Sequence, residues 1–134
     1  MRSLLVSSAL VATLLTGCAE AEEAVRGAAR DAGCAAARQA MDEAERRVRD
    51  AVADLRADPE AARRELRAVR GVLDAAERGL GGEARQQVDR AGKAVDRLLA
   101  EARDAAAGTR VDDVAVDEAE RQLDGAVGEI TNLC

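Results

Sequence analysis

Residues 34–57 read CAAARQAMDEAERRVRDAVADLRA, and their spacing decides the fold. Cys34, Ala37, Met41, Ala44, Val48, Ala51 and Leu55 recur at alternating steps of three and four. That rhythm places all of them on one face of an α-helix, as an a/d seam. Asp58-Pro59 ends the segment. The aspartate suits a helix cap, and proline suits the first position of the next helix, where a missing N–H is harmless.

The same rhythm continues outward. Residues 59–79 carry Ala62, Leu66, Val69, Leu73 and Ala76, with Leu80 just beyond, before Gly79, Gly81 and Gly82 break the pattern. Residues 83–107 carry Ala84, Val88, Ala91, Val95, Leu98, Ala102 and Ala105, ahead of Gly108. Residues 110–133 carry Val116, Ala119, Leu123, Ala126, Ile130 and Leu133, with Val127 beside the seam. The start of this last helix has two readings: Thr109-x-x-Asp112 as a capping box, or Asp113 as a later cap. No segment alternates apolar and polar residues as a strand does. Four helices of similar length, each about 33 Å at 1.5 Å per residue, with short connections, predict an all-α antiparallel up-down-up-down four-helix bundle. Two helical hairpins paired in a dimer are the alternative.

Charged residues fall between the seams. Glu43–Arg47, Glu45–Arg49, Glu60–Arg64, Asp89–Lys93 and Asp117–Arg121 are i,i+4 pairs with the acid first, each contributing about 0.2–0.5 kcal/mol. They read as solvated, helix-stabilising faces. Asp112, Asp113, Asp117, Glu118 and Glu120 form the densest acidic cluster. They have no EF-hand spacing, so they read as stabilising a helix N-terminus rather than as a metal site. Gly71, Gly92, Gly125 and Gly128 interrupt helical segments and read as a product of composition rather than of close helix approach.

The composition excludes more than it permits. The chain has no His, Phe, Tyr or Trp, and its formal charge is −6. Ser3, Ser7 and Ser8 are its only serines and Lys93 its only lysine. A nucleophile needs an adjacent base, and neither Ser/His nor Cys/His pairs can be assembled. Glu-x-x-His di-iron sites and His-containing zinc sites are ruled out in the same way. An acidic chain without aromatics has neither the basic face nor the stacking platforms that nucleic acids require. The expectation is a non-enzymatic protein with no cofactor, no metal and no nucleic-acid partner. The mixture of Ala, Arg, Gly, Val and Asp resembles that encoded by GC-rich genomes such as those of actinobacteria.

The N-terminus carries a different signal. Arg2 precedes an apolar run, Leu4 to Leu15, which is followed by Thr16, Gly17 and Cys18. The run is too short to span a bilayer, which takes about 20 residues. Leu15-Thr16-Gly17-Cys18 resembles the lipobox of bacterial lipoprotein signal peptides: an aliphatic residue, small residues, then the cysteine. The resemblance covers residues 1–18 only. It implies cleavage before Cys18 and a diacylglyceryl thioether on the Cys18 sulfur, with N-acylation depending on the organism. Stable anchoring needs more than one acyl chain, at about 0.8 kcal/mol per buried methylene. The implied layout is a signal peptide at 1–17, a lipidated Cys18 with a tether at 18–33, and the bundle at 34–134. The implied location is the extracytoplasmic face of the cell membrane.

Two cysteines remain. Cys34 opens the first seam and Cys134 follows the Leu123, Val127, Ile130 stripe of the last. In an up-down-up-down bundle these positions lie at one end, on neighbouring helices. An internal Cys34–Cys134 disulfide is therefore expected in an oxidising compartment. An intermolecular bridge and two free thiols are the alternatives. The functional expectation is a membrane-anchored structural or protein-interaction module. Its partner would be an envelope protein or a second copy, reached partly through an exposed Leu99 or Val72. The alternative is a carrier holding a small apolar or lipid ligand between its helices.

Overall fold

The computed structural model describes residues 16–134, with side chains from residue 21 onward. Among the described residues the chain is all helical, with four helices and no strands: α1 Thr16–Asp54, α2 Pro59–Arg78, α3 Gly82–Ala106 and α4 Asp113–Leu133. The residues fall into two units, one ending at Ala32 and the other Gly33–Cys134.

In the first unit, the backbone from Thr16 is helical. The helix thus runs through the segment 18–33 and begins ahead of the seam that opens at residue 34. The segment assigned to a tether is rich in Ala, Glu and Arg, which favour helix without needing a buried face. Gly27 and Gly33 each cost about 1 kcal/mol against alanine and do not break it. Arg26 pairs with Glu22 one turn back, at 2.5 Å. Val25 is exposed.

The second unit is a helical bundle around one core. Met41, Val48 and Leu55 of the first helical stretch and its connection join Leu66, Val69 and Leu73 from α2, Val88, Val95 and Leu98 from α3, and Leu123 and Ile130 from α4. Every one of these positions lies on a seam read from the sequence. α3 packs against both α2 and α4 and buries a broader face, which includes Gly92 and Ala94. The Arg70 guanidinium lies beside Gly92, with Nη1 2.9 Å from where a Cβ would stand, and it reaches Asp96 at 3.1 Å and also pairs with Asp74.

The helix boundaries follow local chemistry. α1 ends at Asp54 rather than near Ala57, and the Asp58 N–H donates to Asp54 O at 2.8 Å through the intervening turn. Asp58 caps α2, its carboxylate accepting from the Ala61 N–H at 2.9 Å, with Pro59 at the first helical position. At α4 the cap is Asp112, which accepts from the Val114 and Ala115 N–H groups. Neither Thr109 nor Asp113 holds that place. Gly108 turns the chain between α3 and α4 at φ +90, a conformation that a side chain strains.

Candidate functional site

The expected site residues lie in two places. Leu15 of the lipobox is outside the described residues, and Thr16, Gly17 and Cys18 are seen only as helical backbone in the first turn of α1. The side chain that would carry the lipid is thus outside the described set. Among the described residues, no helix is long and apolar enough to cross a membrane.

The second place is the end of the bundle where Cys34 and Cys134 meet. They are joined as a disulfide, with Cα atoms 5.4 Å apart, inside the usual range for a cystine. The Cys134 N–H donates to Ile130 O at 3.0 Å, so the last helical turn of α4 presents the sulfur to α1. Seam spacing brings Cys34 to this position, since Ala37 and Met41 on the same face are fully buried. The arrangement is a covalent clip between the first and last helices.

The acidic residues of α4 have separate tasks. Asp112 caps the helix, Asp113 pairs with Arg56, and Glu118 lies 3.6 Å from Arg97 and accepts from Gln122. Among the described residues, no group of three His, Cys, Asp or Glu is placed to hold a metal ion. Glu120 is different. It is partly buried, with Asp117 and Asp124 on the same helix beside it. Burial raises its pKa, both neighbours push it further, and Arg49 opposes them. A carboxyl raised in the folded state binds its proton more tightly there than when unfolded. Its stabilising contribution is therefore present at low pH and is lost as pH rises from the unfolded pKa through the folded one. Glu120→Gln is expected to raise stability at neutral pH by about 0.5 kcal/mol, from two relieved like-charge pairs, and not at pH 3. Denaturant midpoints at the two pH values check this, and an equal gain at both would refute it.

Glu65 behaves in the opposite sense. The hydrogen bond from Arg47 on α1 holds its carboxyl below the usual carboxylate range. That pair contributes above the unfolded pKa and is lost as pH falls through the folded one. It bridges α1 and α2, as Arg70–Asp96 and Glu77–Arg85 bridge α2 and α3. Sequence spacing had paired only residues within a helix. Glu43–Arg47, Glu45–Arg49 and Asp89–Lys93 form as expected, while Glu60 pairs with Arg63 in place of Arg64.

The expected contact patch is corrected. Leu99 is half-buried and packs against the core, and Val72 is half-buried as well. The large apolar side chains that are exposed in the second unit are Val114 and Leu133. A sequence seam identifies the buried face but not how far its flanking positions turn inward, which explains the difference. No protein-family model, no curated protein and no solved structure matches this chain.

Proposed function

We propose that this protein is a membrane-anchored extracytoplasmic lipoprotein, lipidated at Cys18, whose bundle serves as a structural or protein-interaction module of the cell envelope. The observation that carries this reading is the run Leu15-Thr16-Gly17-Cys18 after a short apolar segment opened by Arg2. Only a thiol forms the thioether that such an anchor requires. Cleavage before Cys18 removes Arg2 and takes the formal charge from −6 to −7.

Other features support parts of the reading. A Cys34–Cys134 cystine suits an oxidising compartment outside the cytoplasm. The bundle is read as antiparallel, up-down-up-down. In support, Arg70 pairs with Asp96 while Glu77, further along α2, pairs with Arg85, earlier in α3. The side-chain inventory supports contact over catalysis: without His and with all Ser in residues 1–17, neither a Ser/His nor a Cys/His pair can form in the mature chain. The partner is an envelope protein or a second copy of the chain.

Replacing Cys18 with alanine is expected to move the protein from the membrane fraction to the soluble one. Unchanged retention on the membrane would sink the anchor. Crosslinking on intact membranes, followed by mass spectrometry, identifies the partner.

A further inference from the structure

A cleft of about 210 Å³ opens where the connection after α1 meets the connection between α3 and α4. Leu55, Pro59, Ala105 and Val111 supply its apolar surface, and Arg56, Thr109 and Arg110 its polar one. Leu55 is a core residue, 1% exposed, so the floor is fixed by the bundle itself. The wall formed by the α3–α4 connection is held by the Thr109 N–H donating to Asp104 O at 2.9 Å. Arg56 ties the connection after α1 to the first turn of α4 through its ion pair with Asp113.

The polar lining is of one kind. Arg56, Thr109 and Arg110 are the polar residues of the lining, and no Asp or Glu is among them. Arg56 is committed to Asp113. Among the described residues, the Arg110 guanidinium has no ion pair and the Thr109 hydroxyl no hydrogen bond, so both have capacity for a ligand. The carboxylates nearest in sequence are engaged with backbone N–H groups: Asp58 caps α2, Asp112 caps α4, and Glu101 accepts from the Asp112 N–H at 3.0 Å. Their negative charge lies close in sequence to the lining residues. It disfavours a multiply charged anion and leaves a single carboxylate as the best match for Arg110.

Size sets the rest of the ligand. A closed cavity of about 150 Å³ accepts benzene; this cleft is open to solvent on one side, so it covers one face of a body of about six carbons. We propose that it binds a small organic monoanion, a short apolar chain ending in a carboxylate. The tail would lie on Leu55, Pro59 and Val111, and the head would take hydrogen bonds from Arg110 and Thr109. The site is formed by two connections together with Pro59 of α2 and Ala105 of α3. It differs in place and chemistry from an apolar ligand held between helices, and it does not depend on the Cys18 anchor.

The test is a titration of the ¹⁵N-labelled full chain with hexanoate, followed through amide shifts of Leu55, Thr109, Arg110 and Val111. Acetate supplies the head alone and 1-hexanol the tail alone. Saturable shifts with hexanoate at lower concentration than with either control are expected. Arg110→Gln is expected to weaken binding about tenfold or more, through loss of a charge-assisted hydrogen bond, and Arg110→Lys to weaken it less. Arg110 is exposed, so both variants should retain the far-UV dichroism of the parent. The proposal is overturned by absence of saturable shifts, by hexanol or acetate binding as tightly as hexanoate, or by Arg110→Gln binding hexanoate like the parent.

Discussion

Replacing Cys34 and Cys134 together by alanine is expected to lower the stability of the bundle by about 3–5 kcal/mol, the largest effect of any change outside the core. The two residues are separated by 100 positions. Closing a loop of that length removes entropy from the unfolded chain worth about 4.7 kcal/mol in the chain-entropy model, and measured values for disulfides are commonly about 2–4. A domain of this size has about 5–15 kcal/mol in total. The core makes the clip matter. Many of its buried positions are alanine, among them Ala37, Ala44, Ala51, Ala62, Ala91 and Ala94, and the chain contributes no aromatic ring. Chemical denaturation followed by far-UV dichroism measures the loss. Parent protein under reductant should match the double variant. A midpoint unchanged in both would show that the cystine contributes nothing.

Leu98→Ala is expected to cost about 3–5 kcal/mol. Leu98 is fully buried in α3, the helix that packs against both α2 and α4. Deleting a buried leucine costs about 2–5 kcal/mol, and the cost is highest where the surroundings cannot collapse into the void. Ala91, Ala94 and Ala102 on the same helix have no rotamers with which to fill it. Leu99, one residue on, is half-buried, and Leu99→Ala is expected to cost clearly less. Equal losses at the two positions would contradict the assignment of the core face. The void left by Leu98 and the loss of the cystine act on different states, folded and unfolded, so their effects should add approximately.

These two residues also show which parts of the fold could be read in advance. The buried leucines and valines obey a 3-4 rhythm, and rhythm is a property of one chain segment. Asp58-Pro59 marks a boundary for the same reason: cap and first turn are adjacent in sequence. The Cys34–Cys134 pairing follows once four equal helices are assumed. The early start of α1 was not legible, because Ala, Glu and Arg favour helix without leaving a seam to read. Nor was the bridge from Arg47 to Glu65, since it depends on which helices become neighbours. The start of α4 had competing capping signals, and geometry chose Asp112. The cleft was hidden for a related reason: its lining comes from positions 55–59 and 105–111, which no local pattern connects. The proposed anchor at Cys18 is the converse case, since it rests on a short local motif.

The cystine also changes the topology of the molecule. With Cys34 and Cys134 joined, the polypeptide from one to the other is a closed ring. A protease that cuts the exposed connection at Gly79–Gly82 or at Ala107–Arg110 opens the ring without releasing either piece. The carboxy-terminal fragment stays attached through sulfur to whatever holds residue 34. Separation of the two pieces therefore requires two events, one hydrolytic and one reductive, and a cut in the backbone does not by itself divide the bundle.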